Sequence, residues 1–194
     1  MSIGILAYGS LLEEPGDELE EVIIDRIKDV ATPFKIEFAR KSSTRDDAPT
    51  LIPYENGLQV KAQILVLEDS VSLKDAKSML YRRETRLDRE YKEPKNPSNN
   101  SVIVEVIENF YNIDYVLYTK IGSNLENITP EILAKLAIKS AKSKAGEKRK
   151  DGISYLIDVK KFNIKTPIME EYENKILEIC ETKTLEEAWQ KCLR

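Results

Sequence analysis

No histidine occurs anywhere in the 194 residues. That absence excludes a Ser-His-Asp triad, a Cys-His pair, a histidine metal ligand and an imidazole pH switch. Acid–base chemistry near neutral pH must come from a carboxylate, a lysine, a tyrosine, a cysteine, or from substrate and water. Cysteine is nearly as scarce. Cys180 and Cys192 are the only two, too few for a closed four-thiolate zinc site. A chain of this length buries enough surface to fold without a disulfide. No tight Asp/Glu cluster has the spacing of an EF-hand, so no metal is expected. Neither sign of charge dominates: 30 Lys and Arg stand against 34 Asp and Glu, for a net −4. That balance gives no general attraction to nucleic acid or to an anionic membrane.

No apolar run is long enough to span a bilayer. The opening MSIGILAYGSLL has an apolar stretch with no basic segment before it, and it soon reaches Glu13 and Glu14. It does not read as a secretory signal. The expected setting is a reducing cytosol, with both cysteines as thiols.

What is present reads as strands first and helices later. Ile3 to Ala7 is a short apolar run that ends in a turn at Tyr8-Gly9-Ser10. Val22, Ile23, Ile27 and Val30 recur at helical spacing, which predicts an amphipathic helix over Glu18 to Val30. Phe34, Ile36 and Phe38 alternate with Lys35 and Glu37, the pattern of a half-buried strand. Short strands follow at Thr50 to Ile52 and Val60 to Leu67. Ser72 with Asp75 three residues on resembles a capping box and opens a helix to about Glu84. Lys92 to Ser101 (KEPKNPSNNS) is the most loop-like stretch. Val102 to Phe110 and Tyr115 to Ile121 read as a hairpin joined by residues 111–114.

Beyond residue 121 the pattern turns helical. Thr129-Pro130 and Thr166-Pro167 both read as helix starts, Gly152 to Phe162 as a helix, and Thr184 with Glu187 as a capping box. Strands followed by helices define an α+β class rather than a doubly wound sheet. A single boundary is expected near 125/126. It separates a first part, residues 1–125, from a helical C-terminal extension, residues 126–194, packed on the same domain.

Three constellations could carry chemistry. In the turn Tyr8-Gly9-Ser10-Leu11, glycine allows close backbone approach to a ligand, and successive N–H groups can form a concave anion site. On residues alone it could equally be a plain strand-ending turn. In the helix before residue 85, Leu73, Ala76, Leu80 and Glu84 fall on one stripe at ~100° per residue. A carboxylate on that stripe could be a general base, or a structural partner of Arg82, Arg83 or Arg86. The run Lys139 to Lys150 is basic but lacks interleaved aromatics, so it reads as a solvated helix end and loop rather than a nucleic-acid surface. Cys180 follows Ile176, Leu177 and Ile179 and reads as a packing residue.

The order of these segments resembles the γ-glutamylcyclotransferase-like superfamily, which includes AIG2-like and ChaC-like proteins. The likeness rests on Tyr8-Gly9-Ser10-Leu11 after the first strand and on the "leucine-x-proline" stretch Leu51-Ile52-Pro53. It rests also on the strand Val60-Lys61-Ala62-Gln63-Ile64 and on Leu80-Tyr81-Arg82-Arg83-Glu84, which matches the L-D-x-x-E of the family's catalytic glutamate. It covers roughly residues 3 to 121. Tyr81 stands where the family has Asp, and Ala62 where it has Gly. The frame Leu87-Asp88-Arg89-Glu90 has the Leu-Asp pair but one residue too few, so Glu90 ranks behind Glu84.

The resemblance implies a small mixed β-barrel with the helical extension added. It implies a small-molecule γ-glutamyl substrate cyclised to 5-oxoproline, with release of an amine or amino acid and no cofactor. Glu84 would be the general acid/base. Tyr8, Gly9, Ser10 and Leu11 would bind the substrate. A binding or regulatory protein on the same fold stays open beside it, with Arg82 and Arg83 recognising an acidic or phosphorylated ligand.

Overall fold

The computed structural model describes all of residues 1–194. By internal contacts the chain forms two compact units. One comprises residues 1–32 and 61–122, the other residues 33–60 and 123–194. Where the sequence suggests one cut at 125/126, the contacts group residues 33–60 with the C-terminal helices.

The first unit is built on a five-stranded mixed sheet. Its strands are β1 (Ile3–Ala7), β2 (Ile23–Ala31), β5 (Lys61–Leu67), β6 (Ile103–Phe110) and β7 (Ile113–Lys120), in the order β2-β5-β1-β7-β6. Central β1 pairs antiparallel with β5 and parallel with β7, and all five of its residues are buried. Burial on both faces accounts for its unbroken apolar run. The hairpin of β6 and β7 turns on Tyr111 and Asn112, with φ of 52° and 63°. Positive φ at both central residues is the tight turn that matches strand twist.

Two expectations are corrected here. Residues 18–30 are not one helix: α1 spans only Asp17–Glu20, and β2 follows. The helix-like spacing arises from register shifts between Ile23 and Asp25 and between Ile27 and Val30, where the pairing with β5 is irregular. Each added residue moves the apolar positions off a period of two. The sheet is also open, not a closed barrel, because β2 and β6 do not pair. Edge strand β2 carries Asp25, Arg26, Lys28 and Asp29 and the irregular pairing, features that discourage further strand addition. Helix α2 (Leu73–Thr85) packs against β1, β6 and β7. Its cap is as expected, with Ser72 Oγ accepting from the Asp75 N–H at 3.1 Å.

In the second unit β3 (Ile36–Ser42) and β4 (Ala48–Pro53) pair only with each other. Helices α3 (Pro130–Ala141) and α5 (Gly152–Lys161) pack on β4. Short α4 (Lys144–Glu147) precedes α5, and α6 (Met169–Cys180) and α7 (Leu185–Cys192) follow it. The caps at Thr129 and Thr184 form as expected. Thr166 does not cap α6, which starts at Met169 without a side-chain cap. β3 is not a half-buried strand, since Glu37 is only 4% exposed. Its carboxylate accepts from the N–H groups of Phe38 at 2.8 Å and Ile168 at 3.2 Å. These bonds satisfy a charge that burial would otherwise penalise heavily. Burial still pushes the Glu37 pKa up.

Candidate active site

The site expected from the sequence lies within the first unit. β1 ends at Ala7, and Gly9–Leu11 close into one turn of 3₁₀ helix. Gly9 has φ +62°, a conformation that favours glycine. Leu11 and Leu12 are buried, anchoring the turn, while Tyr8 and Ser10 are half-buried. The Tyr8 hydroxyl lies 3.5 Å from the Thr119 carbonyl oxygen.

Helix α2 brings Glu84 to the same unit. Ala76 and Leu80 on its stripe are fully buried, and Glu84 sits half-buried in the last turn. The residue that joins the two parts is Arg83. Its Nη1 donates to Glu84 Oε1 at 2.6 Å, and its Nη2 donates to Ser10 Oγ at 3.1 Å. Nε and Nη2 also donate to the Glu14 carbonyl at 3.1 and 2.7 Å. The Arg83 side chain is 9% exposed and that of Glu84 24%. At that burial a charge-assisted bond is shielded from water far more than a surface pair. Arg83 also passes Gly16, whose φ is +90°, and a Cβ there would lie 3.3 Å from Arg83 Cγ.

Sequence reasoning anticipated Ser10 and Glu84 but not the clamp between them. The sequence offers Arg83 as one of three arginines that could pair with Glu84, and that pair forms, but nothing in the sequence marks Ser10 or the Glu14 carbonyl as its further acceptors. Arg82 is engaged elsewhere, in an ion pair with Glu18 of α1, with Nε at 2.9 Å from Oε2. Both arginines thus hold carboxylates of this chain. Glu90, the alternative base, is exposed and paired with Lys74 at 3.1 Å.

Beside the C-terminal end of α2 lies a cavity of about 790 Å³. Tyr81 and Thr85 line it from the helix, with Arg89, Glu90, Lys92 and the residues Asn100 to Val102 just before β6 around it. Neither the Tyr8–Leu11 turn nor Glu84 belongs to its lining. Tyr81 is 8% exposed, its ring centroid 5.4 Å from that of Tyr91, and its hydroxyl accepts from Arg89 Nη2 at 2.6 Å. Tyr91 anchors the loop in turn: its hydroxyl accepts from the Val104 N–H at 3.1 Å.

No group of three or more Cys, Asp or Glu side chains is placed to hold a metal ion. No helix is long and apolar enough to cross a membrane. In the basic run, Arg149 pairs with Glu186 and lies 4.0 Å from the centre of the Trp189 ring.

No family model matches this sequence, and no curated protein matches it. Among solved structures, the fold is similar to the crystal structure of a yeast γ-glutamyl cyclotransferase specific to glutathione. The TM-score is 0.58 at 14% identity, and the match covers 92% of this chain and 99% of that one. The class defined by this likeness is a γ-glutamyl cyclotransferase-like α+β fold, with an open mixed sheet and seven helices.

Proposed function

We propose that this chain is a γ-glutamyl cyclotransferase-type enzyme acting on a small γ-glutamyl amide in the cytosol. The substrate's α-amino nitrogen attacks its own γ-carbonyl carbon. The bond to the leaving nitrogen breaks, giving 5-oxoproline and a free amine or amino acid. Holding the glutamyl chain curled makes this an intramolecular step. Glu84 takes a proton from the attacking nitrogen and returns one to the leaving nitrogen. The N–H groups of Gly9, Ser10 and Leu11 hold the substrate's carboxylate or the developing oxyanion, and Tyr8 lines the site.

The observation that carries this reading is the Arg83 clamp. One guanidinium bonds both Ser10 of the turn and Glu84 of α2, so the two expected parts of the site lie within one side chain's reach. The fold likeness to a γ-glutamyl cyclotransferase supports the reaction class. The same ion pair favours a second reading, a ligand-binding protein in which Glu84 only anchors Arg83. Incubation with a panel of γ-glutamyl amides, followed by assay of 5-oxoproline, separates the two. Turnover that disappears in Glu84→Gln supports the enzyme. Ligand binding without turnover, unchanged in Glu84→Gln, supports the binding protein.

A further inference from the structure

Two nucleophilic side chains take no part in the chemistry proposed above. They are Cys180 and Cys192, the only cysteines in the chain, and both lie in the second unit. Each is the last residue of its helix, Cys180 of α6 and Cys192 of α7. Glu181, at φ 51°, ends α6 in the left-handed region, and Thr184 caps α7, so the chain turns back within a few residues. α7 then packs on α6. Lys191 Nζ donates to the Cys180 carbonyl oxygen at 2.8 Å, which fixes the end of one helix against the end of the other. The Cys180 thiol is the hydrogen-bonding neighbour of the Cys192 thiol. Both are free and buried.

Packing accounts for a small apolar side chain at either position. It leaves unexplained why the two thiols of the chain meet. A pair of adjacent thiols admits two products. A soft metal ion on two thiolates would bury charge with no third Cys, Asp or Glu ligand placed to join it. A disulfide is neutral and apolar, so the core imposes no such penalty on it.

We infer that Cys180 and Cys192 are a redox modification site, oxidised to an intramolecular disulfide by low-molecular-weight disulfides. One cysteine thiolate attacks a sulfur of the small disulfide RSSR, whose S–S bond breaks to give a mixed disulfide and one RS⁻. The second cysteine attacks the protein sulfur of that mixed disulfide and expels the other RS⁻. The two protons lost by the cysteines end on the two RSH. Two protein thiols are thereby oxidised and one RSSR is reduced. The reagent enters when α7 opens. A helix of eight residues has little stability away from its partners, so this opening is local. Exchange is slow for the same reason, because the closed state covers both thiols. The product ties α6 to α7 covalently.

The test equilibrates the reduced full chain with mixtures of hydroxyethyl disulfide and 2-mercaptoethanol, neither of which is a γ-glutamyl compound. Parallel samples are native and in denaturant. After acid quenching, trypsin digestion without reduction reads the cross-link as peptide 176–183 joined to peptide 192–194. A fold that holds two thiols together favours their bond by the same factor by which the bond stabilises the fold. For a loop of this length that factor is about 100-fold. The oxidation constant is therefore expected to be about 100-fold larger in the native protein than in the denatured one. The oxidised protein should also unfold at a higher urea midpoint, restored to the reduced value by 2-mercaptoethanol. Equal constants in the two states, or equal midpoints, overturn the inference. So do mixed disulfides or cross-linked dimers in place of the joined peptides. None of these outcomes depends on whether the chain turns over a γ-glutamyl amide.

Discussion

Arg83 donates to the Ser10 hydroxyl at 3.1 Å while its other terminal nitrogen holds Glu84 at 2.6 Å. One side chain thereby ties the first turn of the chain to the last turn of α2, across 73 positions of sequence. Replacing it breaks the ion pair, leaves a half-buried carboxylate without its cation and frees the Glu14 carbonyl. Arg83→Met is expected to lower unfolding free energy by about 2 kcal/mol, read from denaturant midpoints at constant slope. Arg83→Lys keeps the charge but not the fork, so it recovers only part of that loss. A midpoint for Arg83→Met equal to the wild type would show that the clamp is not closed in solution.

Gly16 supports the same clamp from the backbone. At φ +90° and ψ 150° it occupies a region essentially confined to glycine, and a Cβ would press on Arg83 Cγ at 3.3 Å. Gly16→Ala is expected to cost about 1–3 kcal/mol. It should also lower any γ-glutamyl turnover, because it displaces the residue that holds Glu84. Unchanged stability in a urea titration would contradict the strained conformation.

Glu37 carries a pH prediction. Burial raises its folded pKa above the ordinary 4.5. Between those two values the folded state binds more protons than the unfolded one, so stability falls as pH rises through that window. The contribution is fully present below 4.5 and lost above the folded pKa. In Glu37→Gln the decline from pH 4.5 upward should be shallower than in the wild type, measured by urea midpoints at successive pH values. Equal slopes would mean that Glu37 titrates normally.

The cysteines give a simpler test. Both are buried, at 6% and 8% exposure, and burial together with the neighbouring Cys180 thiol pushes the Cys192 thiol up to about 11. Since the thiolate is the reactive form, a thiol reagent at pH 8 should label neither cysteine in the native protein and both in denaturant. Rapid native labelling of Cys192 would place its thiol outside the core.

Several helix starts are legible in the sequence because their signals are local. Thr129 before Pro130, the Thr184–Glu187 box and the Ser72 cap each need only a few adjacent residues. β2 was misread for a physical reason: its irregular pairing with β5 spaces Ile23, Ile27 and Val30 at intervals of four and three, the signature of a helix. The pairing of β3 with β4 alone, and the open edges of the larger sheet, depend on long-range contacts that no local pattern encodes. For the site, Glu84 stood out because a carboxylate interrupts an apolar stripe. Arg83 is legible only as one of three arginines able to pair with Glu84, because its other partners, Ser10 and Glu14, lie some seventy residues away. Glu37 went unnoticed as a buried group, since alternation with Phe38 placed it on a solvent face.

The most direct test is release of 5-oxoproline from a panel of γ-glutamyl amides by the wild type and by Glu84→Gln, with circular dichroism confirming that both are folded. A cyclotransferase with Glu84 as its acid/base releases 5-oxoproline from at least one member, and the variant loses at least ~100-fold of that rate. Equal release by both proteins would remove Glu84 from the chemistry. No release from any member by the folded wild type would contradict the cyclotransferase reading itself.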